Sequence, residues 1–122
     1  MQHFSKAEKL CGQTRIDHLY RTGRHFVVWP LRVTYLPVET SYSTEVLIWA
    51  PKALFKHAVD RNRLRRQMRE AYRLNKHILV ETGKHYHMAV NYIDKQQQEY
   101  QLIAKSMRKV LTRLAEIEGP QP

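Results

Sequence analysis

The 122-residue sequence predicts a single-domain α/β fold, an α-β sandwich, on three observations. Segments of period-two alternation lie on both sides of a long stretch with helical periodicity, so strands and helices are interleaved. A second amphipathic stretch closes the chain, so helices cover one or more faces of a small sheet. Apolar residues make up 43% of the sequence, enough for one core at this length and too many for a disordered basic tail. The order read from the sequence is α-β-β-(β)-α-β-α over residues 1–122, with 1–12 an N-terminal arm and 119–122 a tail.

Residues 1–12 form a polar arm with Phe4 and Leu10 as anchors; Ser5-Lys6-Ala7-Glu8 has the form of a capping box, but Gly12 follows too closely for a long helix to start there. Ile16, Leu19 and Tyr20 recur at helical spacing from Gln13 to Thr22, and Gly23 supplies a stop. Phe26 to Leu36 is β-branched and aromatic: Leu31, Val33 and Tyr35 alternate with Arg32 and Thr34, a strand with one wet face. Pro30 leaves open whether this segment is one bent strand or two. Pro37 ends it and a polar turn at residues 39–43 follows. Glu45 to Ala50 is a further strand, closed by Pro51.

His57 to about Leu79 reads as one long helix with two faces. At about 100° per residue, Leu64, Met68, Ala71, Tyr72, Ile78 and Leu79 fall within about a third of the circumference. Asn62, Arg65, Arg66, Arg69, Arg73 and Lys76 cover the opposite side. His87 to Ile93 reads again as a strand, with Met88, Val90 and Tyr92 alternating against Ala89 and Asn91. Gln98 to Ile117 is a final amphipathic helix, ended by Gly119-Pro120.

The chain carries a formal charge of +10, and +7 of it lies between Lys52 and Lys76. That segment holds nine basic residues, six of them arginine, against Asp60 and Glu70. So local an imbalance is the footprint of a polyanion-binding surface. Arginine suits phosphate because its planar fork makes paired hydrogen bonds. A merely solvated helix face would pair its arginines with acidic residues one turn away. Only Glu70, beside Arg66 and Arg73, is placed to do so.

Catalytic constellations are missing. The seven histidines are scattered, and only His85-x-His87 places two on one strand face, weak evidence for a metal without other ligands nearby. Asp17, Asp60 and Asp94 lie in different elements, unlike a two-metal carboxylate cluster. No Gly-x-x-x-x-Gly-Lys loop is present. Cys11, the single cysteine, excludes an internal disulfide and a multi-cysteine zinc site, and reads as an incidental thiol. No apolar run approaches the roughly 18 residues of a membrane span, and the N-terminus lacks a secretory signal, so a cytoplasmic protein with no membrane partner is expected.

The run Ala58-Val59-Asp60-Arg61-Asn62-Arg63-Leu64-Arg65-Arg66-Gln67-Met68-Arg69-Glu70-Ala71-Tyr72-Arg73 strongly resembles the Arg-Asn-Arg motif helix of the bacterial ribonuclease P protein subunit. The flanking Ala-Val and Arg-Glu-Ala-Tyr-Arg make the match specific, and element order and length agree over nearly the whole chain. The resemblance implies the ribosomal protein S5 domain 2-like fold, with a left-handed β-α-β crossover around the motif helix. It also implies a ribonucleoprotein that removes the 5′ leader of precursor tRNA. In that family the RNA subunit performs the chemistry with Mg2+, so no catalytic residue, metal site or bound cofactor is expected in this chain. The implied partners are the ribonuclease P RNA subunit and the precursor tRNA 5′ leader, with no DNA.

Carried over to this sequence, Arg61, Asn62, Arg63, Arg65, Arg66 and Arg69 match the motif that faces the RNA subunit. Arg73, Lys52 and Lys76 extend the same basic surface. The family's leader cleft, between the first helix and the sheet, maps to Ile16, Tyr20 and Thr34 or Tyr35. Ile16 stands where an aromatic is common. Three other readings compete, one of them an autonomous nuclease, which would require activity without added RNA. A small basic ribosomal-type RNA-binding protein without a role in cleavage explains the charge but not the motif with its flanks. A DNA-binding regulator would mix base-reading side chains into its recognition helix, where this one is nearly all arginine.

Overall fold

Trp29 and Pro30 divide the segment that the sequence leaves open into two strands. In the computed structural model, which describes residues 9–38 and 44–117, β1 (Arg24–Val28) and β2 (Leu31–Pro37) form an antiparallel hairpin across that two-residue turn. The polar turn at 39–43, the capping-box residues Ser5–Glu8 and the tail at 119–122 lie outside the described residues. The other elements are α1 (Gln13–Thr22), β3 (Glu45–Trp49), α2 (Ala58–Asn75), α3 (His77–Val80), β4 (Tyr86–Tyr92) and α4 (Tyr100–Ala115).

The four strands lie in the order β1-β2-β4-β3. β2 and β4 are antiparallel, whereas β3 and β4 are parallel, joined through α2 and α3. The pleat sorts the side chains. Leu31, Val33, Tyr35, Val46, Ile48, Tyr86, Met88, Val90 and Tyr92 point to one face, where Leu64, Met68, Ala71 and Tyr72 of α2 and Ile103, Met107, Val110, Leu111 and Leu114 of α4 complete the main core.

The opposite face is not simply wet. α1 crosses it, and Leu19 is buried with Leu10 and Ala89 while Ile16, Leu36 and Leu47 pack around them. Thr34, expected on a wet strand face, is therefore buried, and so is Ala89 opposite it. Gly23 allows this approach: a Cβ there would stand 2.5 Å from the Leu19 carbonyl oxygen and 2.8 Å from that of Tyr35. Gly12, at φ +95°, turns the chain into α1 in a region that other residues rarely adopt. Before that turn, the Leu10 N–H donates to the Val46 carbonyl at 3.0 Å, so residues 9–10 cover the edge that β3 would otherwise leave open.

The long helix expected from His57 to Leu79 is interrupted at Lys76. Leu79 and Val80 both donate to the Lys76 carbonyl, and α3 carries Leu79 into the core as a separate short turn. Leu79 thus reaches the core while Ile78 is half-buried at its margin.

Candidate nucleic-acid interface

α2 presents its arginines on a rigid support, because its opposite face is locked into the core. Leu64, Met68 and Ala71 have no exposed surface and Tyr72 almost none. Asp60 in the first turn complements the positive helix end, and its carboxylate also accepts a hydrogen bond from Gln97 at 2.9 Å.

The arginines do not all do the same thing. Arg61 is half-buried and turns back to the loop before the helix, donating to the Phe55 carbonyl at 2.8 Å and the Lys56 carbonyl at 3.0 Å. Phe55 is itself held in the core against the Tyr92 ring at 5.7 Å. Arg61 therefore braces the helix entry, a role the motif match does not show. Arg65 donates to the Asn62 side chain, which engages the exposed amide within the helix. Arg73 forms a fork on Glu70, at 2.5 Å and 3.1 Å. The hydrogen bond from Arg73 holds the Glu70 carboxyl below its ordinary pKa, and the same bond raises that of Arg73.

Among the described residues, Arg63, Arg66 and Arg69 have no side-chain hydrogen-bond or ion-pair partner. On α2 these three are open to an external anion. Arg66, Arg69 and Arg73 line a shallow depression of about 210 Å³ together with Lys9 and Glu70. Arg69 also borders a second depression against Lys9, Leu10, Cys11 and β3, so the stripe continues to the edge of the sheet. Lys52 is exposed in the loop before α2, and Lys76 is half-buried where α2 ends.

The second candidate surface is the face of the sheet under α1. Ile16 is half-buried and packs α1 onto the sheet. Tyr20 is 45% exposed, its hydroxyl donating to Asn91 Oδ1 at 3.1 Å. Between Thr34 and Tyr35 the register decides. Thr34 lies opposite Ala89 and faces α1, whereas Tyr35 faces the main core, edge-on to Phe26 and Tyr86 with ring centres 5.8 Å apart in each case. Tyr35 as a cleft residue is thus corrected: successive strand residues point to opposite faces, and only Thr34 shares the face of Tyr20.

The same register reveals residues that the sequence reading missed. Val27, Arg32, Asn91 and Trp49 lie side by side across β1, β2, β4 and β3, forming one row beside Tyr20. Val27 is 51% and Trp49 44% exposed. Alternation set Arg32 on a wet face and Asn91 opposite Val90 and Tyr92, but their alignment needs the strand order. At the other end of α1, Arg15 and His87 both bind Glu45, with His87 Nε2 at 3.0 Å from Oε2, tying the helix to β3 and β4.

Among the described residues no group of three or more His, Cys, Asp or Glu side chains could hold a metal ion. Mg2+ favours carboxylate and water oxygens in an octahedron. Glu45 is the carboxylate beneath α1 in the cluster just described, and it is engaged by Arg15 and His87, so these residues do not fit Mg2+. His85 and His87 do not join a wider donor set. Cys11 is an exposed free thiol.

The sequence pattern of the Ribonuclease P family matches residues 4–115. The ribonuclease P protein component of Porphyromonas gingivalis is 37% identical over 118 residues, covering 91% of this chain and 85% of the relative. That of Chlorobaculum tepidum is 39% identical over 74 residues, covering 57% of this chain and 48% of the relative. Among solved structures, the ribonuclease P protein of Thermotoga maritima superposes with a TM-score of 0.75 at 20% identity, covering 92% of this chain and 99% of the other. The ribonuclease P protein of Staphylococcus aureus gives 0.75 at 18% identity, covering 91% and 97%. Those two likenesses establish the fold, while the family pattern and the Porphyromonas relative establish descent. With sequence pattern, relative and fold all in agreement, the chain belongs to the ribonuclease P protein family, whose members are the protein components of a ribonucleoprotein endoribonuclease.

Proposed function

We propose that this chain binds the ribonuclease P RNA through the exposed stripe of α2 and receives the 5′ leader of precursor tRNA on the sheet face beside α1. The observation that carries the reading is the set of Arg63, Arg66 and Arg69, three cations without a partner among the described residues on a helix whose other face is buried. Placed on a rigid helix, they meet phosphates with no backbone to order, at the entropy cost of their side chains alone. Half-exposed Tyr20 offers a stacking surface beside Arg32, a combination that suits single-stranded RNA, where a stacked base contributes about 1–3 kcal/mol.

In this reading the RNA subunit carries the hydrolytic chemistry and its Mg2+, and the protein contributes binding and position. It works in the cytoplasm, where precursor tRNA is processed. Among the described residues, no helix is long and apolar enough to cross a membrane.

The test is single-turnover cleavage of a leader-bearing precursor tRNA by the cognate RNA at low magnesium, with and without the protein. Stimulation that vanishes without the RNA supports the reading. Tight, salt-sensitive RNA binding with no stimulation would favour a ribosomal-type role, and cleavage by the protein alone would overturn it.

A further inference from the structure

α4 carries a second concentration of positive charge that the motif helix does not account for. Lys105, Arg108, Lys109 and Arg113 all lie exposed on its solvent side, and from Tyr100 to Ala115 the helix contains no acidic residue. Lys105 and Lys109, like Lys109 and Arg113, are four residues apart, so like charges stand one above another. Such pairs repel and disfavour the helix.

The ordinary reasons for basic residues on a helix do not cover this pattern. Cations near a helix C-terminus offset its dipole. That end is already served by Lys84, whose ammonium donates to the Ala115 carbonyl at 2.8 Å and to that of Ile117, and by Arg113 in the last turn. Arg113 also stacks 4.3 Å from the centre of the Phe26 ring. Lys105 and Lys109 have no hydrogen-bond or ion-pair partner among the described residues. The face they share with Thr112 and Glu116 encloses an open depression of about 460 Å³. No large exposed apolar or aromatic side chain lies on it among the described residues, so it offers phosphate contacts rather than a platform for bases.

The α4 face is continuous with the α2 stripe. Arg108 donates to the Asn75 side chain at 3.5 Å, at the end of α2. The Tyr100 phenol, at the start of α4, lies within the electrostatic reach of Glu70, Arg73 and Arg108 together. By contrast, the Tyr20 surface is on the other side of the sheet.

We infer that the solvent face of α4, centred on Lys105 and Lys109, is a second phosphate-binding surface that takes a double-helical segment of the RNA subunit, separate from the segment held by α2. The inference rests on the proposed function, and it adds a contact area and assigns its occupant. From Lys105 to Arg113 the helix rises about 12 Å, long enough to follow several phosphates of a duplex.

The test measures affinity of the full-length protein for the cognate RNA alone, as a function of salt, for K105Q/K109Q, K105R/K109R and R66Q/R69Q. K105Q/K109Q should bind about tenfold more weakly, with the slope of log K against log salt reduced by about 1.8, as expected for two lost duplex phosphate contacts. K105R/K109R should bind as the wild type does. Hydroxyl-radical footprinting should show protection lost from a helical segment different from the one exposed by R66Q/R69Q. Unchanged affinity and slope in K105Q/K109Q beside a clear loss in R66Q/R69Q would overturn the α4 inference and leave the proposed function standing. No loss in either would overturn both. A loss seen only with precursor tRNA present, or at the same nucleotides as for R66Q/R69Q, would also overturn the inference as stated.

Discussion

Tyr20 and Asn91 meet across the junction of α1 and β4, the phenol donating to the amide oxygen at 3.1 Å. The bond holds one edge of the ring against the sheet and leaves 45% of the residue open to solvent. An aromatic held at its hydroxyl and half open to solvent is a pre-ordered surface for a base. Tyr20→Ala should therefore weaken binding of leader-bearing precursor by about 1–3 kcal/mol and leave mature tRNA little changed. Tyr20→Phe, which keeps the ring and loses the hydroxyl, should retain most of the difference. Equal losses for precursor and mature tRNA in Tyr20→Ala would place the leader elsewhere.

Arg66 and Arg61 should separate binding from folding. Arg66→Ala removes an exposed side chain and Arg69→Ala a half-buried one outside the core, and each should change stability by no more than about 0.5 kcal/mol. Each should weaken binding to the RNA subunit roughly tenfold and lower the salt slope by about 0.7–0.9. Arg61→Ala removes two hydrogen bonds to loop carbonyls and should lower the urea midpoint of unfolding, by about 1–3 kcal/mol in stability. Parallel melting and titration of the three variants checks the division, and an Arg61→Ala protein as stable as the wild type would contradict it.

Gly23→Ala tests the contact of α1 with the sheet. The added methyl would meet two backbone oxygens closer than 3.0 Å, so α1 and β2 must separate. A loss of roughly 1–3 kcal/mol is expected, as for other overpacked sites. Leader discrimination should fall with it, since Tyr20 rides on the same helix. Unaltered thermal unfolding would show that the helix sits farther from Tyr35 than described.

The Glu70–Arg73 pair gives a pH dependence of definite sign. The carboxyl of Glu70 is held below its ordinary value of 4.5 in the folded protein by the hydrogen bond from Arg73. Its contribution to stability is therefore complete above that value and is lost as pH falls through the lower folded pKa. Glu70→Gln should flatten the stability profile in that acid range. The effect is small because the pair is solvent-exposed. Identical acid profiles for Glu70→Gln and the wild type would show that the pair contributes nothing.

The local, periodic features of this protein are legible in its sequence alone. Leu64, Met68, Ala71 and Tyr72 recur at the helical repeat, so their burial and the outward turn of Arg66 and Arg69 follow from a single segment. The Arg-Asn-Arg run with its flanks identified the family for the same reason, being contiguous. The tertiary structure decided what depends on distant neighbours. Alternation along β2 assigned Thr34 and Tyr35 to opposite faces but could not say which face α1 would cover, and that choice put Thr34 beneath the helix and Tyr35 in the core. The row from Val27 to Trp49 exists only through the order β1-β2-β4-β3, which joins residues far apart in the chain. Arg61 reads as one more exposed arginine until the preceding loop folds back and offers it two carbonyls. Periodicity states which sides an element has; which partner each side meets is set by long-range packing, whose free energy is not contained in any one segment.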